Sequence, residues 1–184
     1  MNKLIITVLG KDRPGIISKI SAILYENNCN LENVNQMILQ NQFAGFFFVE
    51  PPSGLTRNQL ERTFLEQTQD SGLTIHVNPL GTNGTPQEEM QSEIFLITTI
   101  GPDQKGLVAR FSTIIAKFNA NIINLKAVFK GGSDPNANVM SYQVSISPDI
   151  DAPGMFQALR EKACELNLDI RIQHKNIFDA INKI

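Results

Sequence analysis

Apolar residues along the chain follow two periods in alternation. Lys3 to Leu9 is a run rich in β-branched residues that stops at Gly10, the pattern of a buried strand ending in a tight turn. From about Pro14 to Asn27, Ile16, Ile20, Ile23 and Leu24 recur at helical spacing, with Pro14 suited to a first turn and Asp12 placed to cap it. Leu31 to Leu39 and Phe43 to Val49 predict two strands joined by a short Gln40-Asn41-Gln42 turn. After Pro51-Pro52-Ser53-Gly54, a second helix is predicted over about Thr56 to Asp70 with Leu60, Phe64 and Leu65 facing inward, and Leu73 to Val77 predicts a closing strand. The succession then returns as Glu93 to Ile100, Leu107 to Phe118, Ile122 to Phe129, Val139 to Ser147, Pro153 to Leu166 and Leu168 to Gln173.

The return is a duplication. At an offset of 91, Gly10, Asp12, Gly15, Ser21, Ile23, Asn28, Asn30 and Asn33 meet identical residues, eight identities in 24 positions. Near the ends of the halves the offset becomes 95, aligning Leu73 and Ile75 with Leu168 and Ile170. The extra residues fit the Gly131-Gly132-Ser133-Asp134-Pro135-Asn136 stretch, whose composition is that of an extended turn. Each half therefore reads βαββαβ, and two right-handed crossovers place both helices on one face of a four-stranded antiparallel sheet. The fold class is α+β: two ferredoxin-like sandwiches, over residues 1–80 and 92–184, with a linker at 81–91 inside a polar stretch punctuated by Pro79, Gly81, Gly84 and Pro86. One face of each sheet is left uncovered by its own helices and invites pairing between the units or with another chain.

Composition narrows the function. With 184 residues, 42% of them hydrophobic, the chain can bury a core, and a net charge of −2 lacks the basic surplus that phosphate neutralisation requires. Cys29 and Cys164 form no metal-ligand spacing, even with His76 and His174 added, so no metal or cofactor is expected. No apolar run approaches the length of a membrane span, and the segment after Met1 meets Lys11, Asp12 and Arg13 too soon for a secretory signal. The expectation is a cytoplasmic protein with reduced thiols.

Candidate chemistry collects at the repeated turn between first strand and first helix. Gly15 and Gly106 carry no side chain to block approach, and the free N–H groups of a helix start suit a carboxylate. The alternative is that the glycines only permit a tight turn, while helix capping is the favoured role of Asp12 and Asp103. Asn30 and Asn121 could offer an amide near that turn, or could accept a left-handed backbone at the helix exit.

A strand, a G-x-D-x-x-G turn, a helix and an Asn-Leu or Asn-Ile pair opening the next strand resemble the ACT domain. Asp12-Arg13-Pro14-Gly15-Ile16 with Asn30-Leu31-Glu32-Asn33 fits one copy, and Asp103-Gln104-Lys105-Gly106-Leu107 with Asn121-Ile122-Ile123-Asn124 fits the other. A tandem pair with no third domain is most similar to the glycine cleavage system transcriptional repressor family. The resemblance implies domains that pair through their sheets as a homo-oligomer, and a small amino acid ligand, with glycine or serine foremost. It also implies control of a partner regulatory protein by contact rather than by reading nucleic acid. Carried over by residue, it implies ligand contacts from Asp12, Arg13, Gly15, Ile16 and Asn30, and from Asp103, Gly106, Leu107 and Asn121. Gln104 and Lys105 depart from the pattern, losing the guanidinium and the fixed-φ residue, so the two turns need not bind alike.

Enzyme readings find little support. Cys29 aligns with Ala120 and His76 with Arg171, and no Ser-His-Asp or Cys-His set or phosphate loop is present. The RNA-recognition fold shares the βαββαβ order, but Gly45-Phe46-Phe47-Phe48-Val49 lacks the basic and small residues of its aromatic motif, and residues 1–91 hold six basic against nine acidic residues. Core or sheet-interface packing is the simpler role for these phenylalanines. An RNA-binding module and a ligand-free interaction module remain as the alternative functions.

Overall fold

The computed structural model describes residues 3–81, 92–128 and 138–182. The chain divides into two compact units, Met1–Thr85 and Pro86–Ile184. The first unit runs β1 (Leu4–Lys11), α1 (Ile16–Glu26), β2 (Asn30–Leu39), β3 (Gln42–Glu50), α2 (Arg57–Thr68), a 3₁₀ turn at Gln69–Ser71, and β4 (Thr74–Pro79). The second runs β5 (Glu93–Gly101), α3 (Leu107–Lys117), β6 (Asn121–Val128), β7 (Asn138–Ile146), α4 (Ala152–Glu165), β8 (Asp169–His174) and α5 (Lys175–Asn182). The sheets are antiparallel with strand orders β2-β3-β1-β4 and β6-β7-β5-β8. These are two ferredoxin-like sandwiches.

Alternation fixes which side of each sheet meets the helices. Leu4, Ile6 and Val8 of β1 and Phe43, Phe47 and Val49 of β3 are buried and pack with Ile16, Ile20, Ile23 and Leu24 of α1 and with Leu60 and Phe64 of α2. Leu65 does not join them. It is 60% exposed, because one residue beyond Phe64 turns it about 100° off the buried stripe. The second core repeats the plan around Ile97, Phe111, Ile115, Met140, Tyr142 and Leu159. Where Phe43 covers Gly45, β7 carries Asn138 and Met140: a Cβ on Gly45 would stand 2.9 Å from the Phe43 ring, so the second unit exchanges the volumes of two neighbouring positions. Phe47 is core as expected, whereas Phe46 and Phe48 point to the helix-free face.

The exits of α1, α3 and α4 use one device, whereas α2 runs through the 3₁₀ turn to Gly72 at φ +63°. Asn28, Asn119 and Asn167 adopt φ of 52°, 58° and 55°, and the following N–H reaches back to Leu24, Ile115 and Ala163. Gly10 and Gly101 serve a different need. A Cβ there would stand 2.7 Å from Leu73 Cδ2 and 2.6 Å from Leu168 Cδ2, so the absent side chain lets the helix-to-strand turn lie against the first strand. α2 begins with a reciprocal cap between Thr56 and Gln59, and Asp151 caps α4 through the Gly154 N–H. Helix α5 was not legible as an element from the strand-helix order. It lies across the open face of the second sheet, against β5 and β8.

Candidate functional site

The turn between β1 and α1 is built on Gly15, which sits at φ +94° and opens the helix, its carbonyl accepting the first helical bond from the Lys19 N–H at 2.9 Å. Gly106 repeats this at φ +83°, accepting from Arg110 at 3.0 Å. Neither helix has a side-chain cap, so the capping expected of Asp12 and Asp103 does not occur. The reason is conformational: a left-handed glycine occupies the capping position, three residues beyond each aspartate; α1 therefore starts at Ile16, later than Pro14 predicted, whereas α3 starts at Leu107 as expected. Asp12 instead anchors the turn through its backbone, its N–H donating to the Asn41 carbonyl of the β2–β3 hairpin at 2.9 Å.

No atom lies within 4 Å of the position a Gly15 side chain would take, so backbone conformation rather than crowding requires glycine there. The space belongs to an open groove of about 560 Å³ bordered by Asp12, Arg13, Gly15 and Ile16, together with Gln36 of β2 and Phe43 of β3. Gln36 and Phe43 were missed. Every position of β2 is exposed, so alternation carries no signal for Gln36, and only its register opposite Gly45 puts it on the helix side. In the second unit, equivalent register positions hold Ala127 and Asn138, and Arg110 Nε lies 4.0 Å from the Cβ position of Gly106. The two turns are chemically unlike.

Arg13 and Gln104 share a role that their identities conceal. Arg13 Nη2 donates to the Ser71 carbonyl at 2.9 Å, and Gln104 Nε2 donates to the Leu166 carbonyl at 2.7 Å. Ser71 and Leu166 stand at the offset of 95 that aligns the ends of the halves. Replacing guanidinium by amide therefore keeps the tether from first turn to second helix. Ile16 and Leu107 are buried anchors of their helices.

Asn30 and Asn121 lie elsewhere. Asn30 pairs with Glu50 and Asn121 with Ser145, at the sheet end where β1 and β5 begin, whereas the turns follow the other end. The separation along the strand is roughly 25 Å, so within one unit neither asparagine reaches the turn. Nor do they take the left-handed backbone, which falls to Asn28 and Asn119.

Among the described residues no group of three His, Cys, Asp or Glu side chains could hold a metal ion. Burial pushes the Cys29 thiol up, away from the thiolate that a nucleophile needs. What the turn offers is an uncapped helix start beside polar and apolar walls.

Both halves match one family profile, the ACT domain, over residues 2–78 and 93–173. The chain belongs to the ACT domain family. Its sequence is similar to the glycine cleavage system transcriptional repressor of Escherichia coli, 26% identical over 166 residues that cover 89% of this chain and 85% of the relative. A UPF0237 protein of Methanopyrus kandleri is 42% identical over 50 residues, 27% of this chain, and the match spans only 56% of that relative. A solved structure provisionally assigned as a glycine cleavage system transcriptional repressor superposes with a TM-score of 0.69 at 16% identity, covering 94% of this chain and 96% of the other, a likeness of fold. This tandem ACT chain is thus related to named regulators, and among its described residues no helix is long and apolar enough to cross a membrane.

Proposed function

We propose that this tandem ACT chain is a non-catalytic, cytoplasmic regulatory protein that binds a small amino acid, glycine or serine foremost, and controls a partner transcription regulator by protein contact. The observation that carries the reading is the groove at the first turn. The N–H groups of Ile16, Ile17 and Ser18 precede the first helical bond and no side chain caps them, so they suit a carboxylate. Gln36 brings an amide to the same groove, and Phe43 gives it an apolar wall.

A groove this open holds a small ligand only if something closes it. β2 is an edge strand exposed along its whole length, with Leu31, Val34 and Ile38 among its residues. Antiparallel pairing with the β2 edge of a second chain would bring that chain's Asn30 end alongside the Leu39 end, next to the turn. Such closure explains how an asparagine far from the turn within one unit could still serve the ligand. It also gives the ligand a preference for the paired form, which is the condition for transmitting a signal to a partner.

The glycine and serine preference rests on similarity to the repressor. A calorimetric titration of the full chain with the common amino acids and purine-pathway metabolites tests it. Binding of glycine or serine that disappears in Gly15→Leu is expected. No heat from any of them at millimolar concentration refutes ligand control and leaves a protein-interaction module.

A further inference from the structure

The two sheets differ in chemistry on the side away from α1 and α2, and from α3 and α4. In the first unit Asn33 pairs with Phe48 and Asn35 with Phe46, whereas at the matching register of the second Asn124 pairs with Gln143 and Lys126 with Ser141. Between the copies two aromatic rings have thus been exchanged for an amide and a hydroxyl, and one neutral amide for an ammonium group. The exchange falls beside helix α5.

Helix α5 packs against β5 and β8, so its flank stands as a wall beside the β6–β7 part of the sheet. A cleft of about 190 Å³ lies along that step. Asn124, Lys126, Ser141 and Gln143 form its floor, and Lys175 and Asp179 project from the wall. Leu96 and Phe178 give it apolar surface. Paired strands lie about 4.8 Å apart and same-face neighbours roughly 7 Å along a strand, so the four floor residues converge on one small space. On the wall, spacings of three and four residues put Lys175, Phe178 and Asp179 on one side of the helix.

These polar groups are not engaged with one another. Among the described residues, Lys126, Lys175 and Asp179 enter no ion pair, and the side chains of Asn124, Ser141 and Gln143 have no hydrogen-bond partner. The first unit's cleft around Lys3 and Arg57 is different: there Lys3 is paired with Glu32, and Arg57 is held by the Val77 carbonyl and by Glu61. Lys175 and Asp179 are half-buried, where unpaired charge costs free energy. Lys175 also opens α5, whose first turn holds no acidic residue, so its charge adds to the positive end of the helix dipole.

We propose that this cleft binds a small hydroxycarboxylate, whose carboxylate lies between Lys126 and Lys175 and whose hydroxyl donates to Asp179. Two ammonium groups against one carboxylate leave the cleft net positive, which favours a monoanion over a zwitterion of the same size. Asp179, an acceptor when ionised, favours a ligand with a donor beside its carboxylate and disfavours a bare dianion. The volume lies below the ~300 Å³ at which pockets for drug-sized ligands begin, so the occupant is compact. The site uses neither glycine turn and is independent of the amino-acid reading.

Two-dimensional ¹⁵N NMR of the full chain, titrated at constant ionic strength with lactate, propionate, alanine and inorganic phosphate, is the test. Lactate is expected to give saturable shifts centred on the amides of Lys126, Ser141, Gln143 and Lys175, and to bind more tightly than the other three. Lys126→Gln and Lys175→Gln should each raise the lactate Kd about tenfold or more, through loss of a charge-assisted bond. Gln143→Phe, which restores the ring of the first unit, should fill the cleft and abolish binding. Asp179→Ala should remove the advantage of lactate over propionate. Gly15→Leu should leave all of these shifts in place, so failure at the turn and failure at the cleft are read separately. The proposal is overturned if lactate gives no saturable shift at about 20 mM, or if its Kd is indifferent to both lysine variants. Shifts confined to the Gly15 turn overturn it as well, as does tighter binding of phosphate or alanine in the cleft.

Discussion

Thr99 is 1% exposed at the centre of the second core, and among the described residues its Oγ1 has no hydrogen-bond partner. It pairs with Met140 on one side and Ile170 on the other, while the equivalent place in the first unit, opposite Gly45 and Ile75, is Val8. The duplication thus supplies its own control, an isosteric valine in the same sheet position. A buried hydroxyl left unpaired costs about 1–3 kcal/mol, and a methyl group in its place adds apolar burial without that cost. Thr99→Val should therefore stabilise the second unit by about 1–2 kcal/mol, raising its melting temperature by about 4–8 °C per kcal/mol for a unit of this size. Hydrogen exchange read peptide by peptide separates the units: amides of β5, β7 and β8 should exchange about tenfold more slowly for each 1.4 kcal/mol gained, with β1, β3 and β4 unchanged. Val8→Thr should do the reverse in the first unit. If Thr99→Val is neutral or destabilising, the hydroxyl is satisfied in solution and the reasoning fails.

Gln104→Ala should destabilise the second unit by about 1 kcal/mol through loss of the bond to the Leu166 carbonyl, whereas Arg13→Gln should leave the melting temperature of the first unit unchanged because glutamine can serve the Ser71 carbonyl. A cost from Arg13→Gln equal to that of Arg13→Ala would refute the shared tether. Gly15→Leu and Gly106→Leu both place a side chain at positive φ and should each cost about 1–2 kcal/mol in urea unfolding. Calorimetry should find ligand affinity falling further with Gly15→Leu, since Gln36 and Phe43 border only the first turn, and equal losses would refute that ranking. Burial pushes the Tyr142 phenol up to about 12. Its contribution is intact below the unfolded pKa near 10 and is lost as pH rises toward 12, at roughly 1.4 kcal/mol per pH unit, because only the unfolded chain releases the proton. Thermal melts of Tyr142→Phe should lack this alkaline component; an identical pH profile for wild type and variant would refute it.

The chain's own pattern determined the elements, their order and the duplication. Period-two and period-3.6 burial are local consequences of backbone geometry, and Ile20, Ile23, Leu60 and Phe64 lie where the spacing put them. The repeated glycine turn was equally legible, because a left-handed position leaves its mark as glycine in both copies. Helix α5 escaped because eight residues give barely two turns of amphipathic signal.

What each turn residue does was decided in three dimensions. Asp12 as a cap, Asn30 beside the turn and Arg13 without an equivalent are all reasonable from sequence neighbours; the first yields to the left-handed Gly15 at the cap position, the second to sheet register and the third to a contact between residues distant in the chain. Arg13 meets Ser71, Asp12 meets Asn41, and sheet register carries Asn30 away while bringing Gln36 and Phe43 in. Hydrophobic periodicity reports only whether a residue faces the core. Which polar groups converge depends on strand order and register, and these follow from packing the whole unit at once.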